Sequence, residues 1–255
     1  MSVNLVNKKI IKLPDYLTPS SLAAFYDNIN ALSEMPAENV FLDCSTIKHV
    51  TSSHINLLWE LRNKCNELGT KLYLNEISMG LDAVLNVLDI KHFFNISSYL
   101  NEYNATNCLS NKNLKEKQVF ERNIVPDVKN INLLKKQLIE FLQSLNVGQL
   151  CIYEIETIIY EILTNIRLHG QLKKDDKIDL HLEMDMNGLD LIVIDPGVPF
   201  DPTISTQNYS PETAIKNKRK RGFGLFMIRK MTDNIYYERS KGKFNILTVE
   251  KKARH

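Results

Sequence analysis

The chain has 255 residues, more than one domain usually holds, and 44% of them are hydrophobic, enough for ordinary cores. Thirty-two basic and 30 acidic residues leave a net charge of +2, which gives no global pull toward nucleic acid, membrane or acidic polymers. The start lacks the apolar core of a signal peptide, and no run approaches the ~20 apolar residues of a membrane span. The four cysteines, Cys44, Cys65, Cys108 and Cys151, make no Cys-x-x-Cys pair, so a cytoplasmic protein with reduced, buried thiols is expected. No internal repeat is visible.

Residues 9–13 alternate weakly and can form a strand. Thr18-Pro19-Ser20 then supplies an N-cap with Pro at the first helical position, ahead of Leu22, Phe25, Ile29 and Leu32 at helical spacing. Val40-Phe41-Leu42-Asp43-Cys44 reads as a buried strand. After it, Ser52 or Ser53 is expected to cap a helix with Ile55, Leu58, Trp59 and Leu61 inward and Gly69 as its stop. Residues 71–75 form the next strand and 80–88 another helix. The alternation predicts an α/β unit with a partly parallel sheet over residues 1–98.

This order, with Val40-Phe41-Leu42-Asp43-Cys44, His49-Val50-Thr51-Ser52-Ser53-His54-Ile55 and Gly69-Thr70-Lys71-Leu72-Tyr73-Leu74, resembles the STAS domain of bacterial anti-sigma-factor antagonists. The family's turn usually reads Asp-Ser-Ser-Gly with its first Ser as phosphoacceptor, which the resemblance places at Ser52. Thr51 and His54 depart from that pattern. A Ser before an apolar helix is equally what an N-cap needs. Phosphate there would sit at the positive end of a helix, so a switch would act on a partner's surface and would not melt the domain.

Residues 99–118 turn polar and Asn-rich and read as a linker. A strand over 119–125, closed by Pro126-Asp127, leads to a helix running to about 145, and Gly148 separates it from a second helix over about 150–169. In this second helix Glu161, Asn165 and His169 recur every four residues, nearly on one face and each about 6 Å along the axis from the last. Acid, amide and imidazole thus look into one space, although polar residues at that spacing also mark an ordinary solvated face. Residues 178–186 and 189–194 flank Asn187-Gly188, a hairpin signal. The strand ends at Asp195, followed by Pro196-Gly197-Val198-Pro199-Phe200-Asp201-Pro202, which places a carboxylate to receive an amino group. Lys216-Asn217-Lys218-Arg219-Lys220-Arg221 precede Gly222-Phe223-Gly224 and an apolar helix over 225–231, a phosphate-binding arrangement. A solvated loop is the plainer reading of that basic run. A nucleic-acid patch is weak without interleaved aromatics. Two strands, 234–239 and 244–250, finish the chain.

From residue 119 to 255 these pieces resemble the GHKL ATPase superfamily, closest within it to the anti-sigma-factor serine kinases. Glu161-x-x-x-Asn165-x-x-x-His169-Gly170 is similar to the N box, Asp195-x-Gly197 to the G1 box, and Arg221-Gly222-Phe223-Gly224-Leu225 to the G2 box. Pro199 stands where many members have a second glycine, which stiffens the turn. The resemblance implies an α/β sandwich that binds ATP with Mg²⁺. It makes Glu161 the general base and Asn165 the Mg²⁺ ligand, with His169 at the pocket edge. Asp195 accepts the adenine amino group, Gly197 lets the base lie close, and Thr248 supports Asp195 through a water. Gly222 and Gly224 line the phosphates under a lid of about residues 203–221, and Lys220 or Arg221 stabilises γ-phosphate charge.

Together the two resemblances imply a partner-switching regulator of transcription that transfers the ATP γ-phosphoryl to a Ser of a STAS domain, its own Ser52 included. The alternative is a non-catalytic, nucleotide-responsive scaffold with a degenerate phosphosite. Implied partners are a sigma factor, a STAS-domain antagonist or a second copy in a dimer, with no membrane and no direct nucleic-acid contact.

Overall fold

The computed structural model describes residues 8–34, 37–47, 49–100, 116–205, 223–240 and 243–253. The chain divides into two compact units, each mixed α/β, with a parallel sheet in the first and an antiparallel sheet in the second.

In the first unit, strands β1 (Lys8–Lys12), β2 (Asn39–Asp43), β3 (Lys71–Asn75) and β4 (Asn95–Ile96) pair in parallel in that order. Helices α1 (Pro19–Glu34), α2 (Ser52–Glu67) and α3 (Met79–Val87) connect them. Ile11, Val40, Leu42, Leu72 and Leu74 alternate onto one sheet face, where they are buried with Phe25, Ile55, Leu58 and Leu81 of the helices. Pro19 opens α1 as its spacing predicts, with Thr18 Oγ1 accepting from Ser21 N–H at 3.2 Å. Gly69, at φ 69°, follows the end of α2 in the conformation that a helix stop requires.

The start of α2 differs from expectation. Thr51 is its N-cap, and Ser52 is already the first helical residue. His54 decides this, because its Nδ1 accepts from the Thr51 N–H at 3.1 Å and from the Thr51 hydroxyl at 2.8 Å. That fixes the tautomer, so Nε2–H donates to the carbonyls of Pro14 (3.1 Å) and Asp15 (3.2 Å). His54 is 2% exposed and therefore latches the turn before α2 to the end of β1. Strand β4, only two residues long, shows no alternation in the sequence and adds a fourth member to the sheet.

In the second unit β5 (Gln118–Ile124), β6 (Ile178–Asp185), β7 (Gly188–Asp195), β8 (Asn234–Ser240) and β9 (Phe244–Lys252) form an antiparallel sheet in the order β5-β6-β7-β9-β8. Helices α4 (Val128–Ser144), α5 (Gln149–His169), α6 (Pro202–Ser205) and α7 (Phe223–Met231) complete it. The β6–β7 register pairs Asp185 with Gly188, so Met186-Asn187 make the turn and Gly188 (φ 153°) opens the strand. Phe120, Leu180, Leu182, Leu191, Val193 and Val249 bury one sheet face together with the apolar faces of α4 and α5. Charged side chains enter this core in ion pairs. Lys251 Nζ reaches Glu154 Oε2 and the Met231 carbonyl, each at 2.8 Å, and Glu156 pairs with Lys135 at 2.7 Å.

Cys44, Cys65 and Cys151 are buried free thiols, and burial, the largest cause, pushes Cys44 to about 12 and Cys65 to about 11. Neither of these two is a thiolate at neutral pH. Cys108 lies outside the described residues. Among the described residues no helix is long and apolar enough to cross a membrane.

Candidate nucleotide site

Helix α5 runs for 21 residues and is buried along most of its length until Leu163, after which its last turns open toward a cleft. Ile162, Asn165, Ile166, His169 and Gly170 form the floor. Asp195, Val198 and Phe200 come from the end of β7, Leu225 and Ile228 from α7, and Tyr237, Asn245 and Leu247 from β8 and β9. The walls of the cleft are mainly apolar.

The polar groups converge at Asp195, which is 6% exposed. Its Oδ1 accepts from the Gly197 N–H at 2.8 Å and from Asn245 Nδ2 at 2.9 Å. Its Oδ2 takes no hydrogen bond among the described residues, so the carboxylate keeps one acceptor for an outside donor. Asn245 Nδ2 also reaches the carbonyls of Val198 (3.1 Å) and Gly197 (3.3 Å), while its Oδ1 accepts from Tyr237 Oη (2.8 Å) and Arg239 Nη1 (2.6 Å).

Gly197 is a glycine for steric reasons. A Cβ there would lie 2.7 Å from Asp195 Oδ1 and 2.7 Å from the Gly170 carbonyl, which itself accepts from the Val198 N–H at 2.9 Å. The turn after β7 is thus pressed against the end of α5. Gly197→Ala is expected to lose about 1–3 kcal/mol in chemical denaturation, because backbone atoms cannot yield as a flexible side chain would.

Asn165 and His169 line the cleft together with Asp195, whereas Glu161, expected on the same face, is not among its lining residues. Asn165 Nδ2 is buried and has no partner among the described residues. That donor is open to a ligand or to water. Glu161, 4% exposed, lies one turn before Asn165, below the residues that line the cleft. Gly224 is buried in the first turn of α7 next to Leu225.

Residues 124–251 match the histidine kinase-like ATPase domain family. The chain belongs to that family. Among solved structures it is similar to one of a SiaB–SiaC complex from Pseudomonas aeruginosa, at 12% identity and a TM-score of 0.44, over 51% of this chain and 88% of that one. No curated protein matches.

Within the histidine kinase-like ATPase domain, Thr248 is not beside Asp195. The β7–β9 register sets Thr248 opposite Ile192 and Asn245 opposite Asp195. Strand alternation then turns Thr248 to the sheet face away from Asn245 and Leu247. Asn245 holds Asp195 directly, and Tyr237 and Arg239 hold Asn245. The signal available in the sequence was a polar residue, Asn245, opening the otherwise apolar row Leu247 and Val249. Lys220, Arg221 and Gly222 lie outside the described residues, as does the lid beyond residue 205. Ser52 belongs to the first unit, half-buried at the first position of α2.

Proposed function

We propose that the cleft binds ATP with Mg²⁺ and that the protein transfers the γ-phosphoryl to a serine hydroxyl of a STAS-type domain, in a cytoplasmic partner-switching system that regulates transcription. The observation that carries the nucleotide reading is Asp195, a carboxylate with one oxygen saturated and the other open, at the end of an apolar slot. That pattern suits a flat heterocycle with an amino group at its edge. Val198, Phe200, Leu225, Ile228 and Leu247 supply apolar surface for the ring. Asn165 lines the cleft, and its Oδ1 is the atom that would ligate a divalent ion, since the unpaired Nδ2 only donates. Among the described residues no cluster of three His, Cys, Asp or Glu could hold a metal. The remaining ligands would therefore be phosphate oxygens and water, the usual environment of Mg²⁺ at nucleotides.

MgATP, when bound, supplies an electrophilic phosphorus and a stable leaving group. Glu161 would take the proton of the attacking hydroxyl, while His169 shapes the edge of the site. Gly222 and Gly224, with Lys220 or Arg221, would meet the phosphates. Asn165→Ala is expected to bind ATP without Mg²⁺ as the wild type does, but to lose the extra affinity that Mg²⁺ confers. Titration with and without EDTA measures that difference.

The domain division proposed is a STAS-type unit over 1–98, a linker over 99–118 and the ATPase unit over 119–255. Support for the first comes from the β2–α2 turn with Ser52 at the head of a helix. Partners would be a sigma factor, a STAS-domain antagonist or a second copy of the chain. A second reading, the nucleotide-responsive scaffold, is favoured by one observation: His54 and Thr51 are spent on an internal latch where the family carries Gly and Asp.

Incubation with γ-labelled MgATP separates the two. Label on the wild type that is absent from Ser52→Ala supports transfer within the chain. No label, with ATP binding retained, overturns transfer within the chain, and no label on an added STAS-domain partner either favours the scaffold.

A further inference from the structure

The cleft contains a buried amide whose orientation is dictated from both sides. Asn245 is 5% exposed, and its Nδ2 faces three acceptors: Asp195 Oδ1, the Val198 carbonyl and the Gly197 carbonyl. Its Oδ1 faces two donors, Tyr237 Oη and Arg239 Nη1. A hydroxyl can donate or accept, so Tyr237 alone would tolerate either orientation of the amide. A guanidinium only donates. Arg239 also donates to the Gly197 carbonyl at 3.0 Å, which ties its position to the same turn. Reversing the amide would set its N–H groups against the guanidinium and its oxygen against a carboxylate and two carbonyls.

We infer that Arg239, acting through Asn245, sets the base selectivity of the cleft in favour of purines that present an exocyclic amino group to Asp195 and against those that present a carbonyl. The inference rests on the nucleotide reading above and adds a positioning residue to it. With Arg239 in place, Asn245 must donate to Asp195 Oδ1, and the Gly197 N–H donates to the same oxygen. The carboxylate is then held in one rotamer, with Oδ2 turned to the cleft as an acceptor. An amino group completes it. A ring carbonyl at the same place would set lone pairs against lone pairs in a site with little water to intervene, and mismatched buried polar groups are what make such sites selective. Without Arg239 the amide keeps its acceptors but loses its charged clamp, so the donor to Asp195 Oδ1 is held less firmly and the carboxylate becomes freer to rotate.

ATP and ITP form the test pair, since ITP carries a carbonyl where ATP carries the amino group. Calorimetric titration of the full chain with each should show wild type preferring ATP by roughly 100-fold or more. In Arg239→Met the ATP/ITP ratio should fall at least about tenfold, mainly through weaker ATP binding, and Arg239→Lys, which keeps a cationic donor, should recover part of it. If circular dichroism shows that Arg239→Met does not fold, Asn245→Ala removes the amide while keeping the Arg239 bond to Gly197, and it should collapse the ratio in the same way. Equal weakening of both nucleotides with the ratio preserved overturns the inference, because Arg239 then only supports the turn. A wild type that binds neither nucleotide overturns the nucleotide reading and this inference with it. A wild type that binds both equally overturns the inference alone.

Discussion

Glu161→Gln is expected to slow phosphoryl transfer about 10²- to 10⁴-fold, the usual worth of a positioned general base, while ATP affinity stays near that of the wild type. Glu161 sits one helical turn before Asn165, which lines the cleft, and under the proposed function it would take the proton of the incoming hydroxyl. It sits below the residues that line the cleft, which predicts little direct effect on ground-state binding. Gln keeps the volume and reach of Glu but removes its charge and its capacity to take a proton, with one acceptor oxygen replaced by a donor. Rapid-quench measurement of transfer, alongside calorimetric binding of ATP, separates the two quantities. A variant that transfers at the wild-type rate but melts earlier would make Glu161 a structural carboxylate, and the base would have to be sought elsewhere.

The parts of this site that could be read in advance are those encoded by periodicity within one element. Asn165 and His169 were placed together by a four-residue repeat, and the structure brings both to the cleft. Asp195 stands out in the sequence as a carboxylate at the end of an apolar strand followed by turn residues, while Gly197 is marked by the family resemblance. Thr248 was misplaced because alternation gives the parity of a strand and leaves its register against a neighbour open. Only the pairing of β7 with β9 shows that Asn245, three residues earlier and on the other face, meets Asp195. The start of α2 failed for a related reason. Thr51, Ser52 and Ser53 can all cap a helix, and the choice falls to His54, whose ring folds back onto Thr51 while reaching carbonyls 39 and 40 positions away in sequence. Tyr237 and Arg239 were invisible as site residues, since nothing in a single strand marks a side chain that acts on another side chain.

Lys251→Met is expected to cost about 3–5 kcal/mol of stability, the largest loss among single changes in the second unit considered above. Lys251 is 3% exposed, and its ammonium lies 2.8 Å from Glu154 Oε2 and 2.8 Å from the Met231 carbonyl, at the last residue of α7. Met fills the space of the alkyl stem but leaves Glu154, 8% exposed, without this cation, and it removes a donor from a helix C-terminus where positive charge is favourable. The double variant Lys251→Met with Glu154→Gln should recover much of the loss, because the buried charge goes with its partner. Urea denaturation of the two variants measures both effects. The pair joins β9 to α5 and α7, the three elements that carry Asn245, Asn165 and Leu225 into the cleft. Destabilisation by Lys251→Met should therefore be accompanied by weaker ATP binding well below the melting transition, and the double variant should restore binding in step with stability. Binding that stays intact while stability falls would show that the pair supports the core without setting the geometry of the cleft.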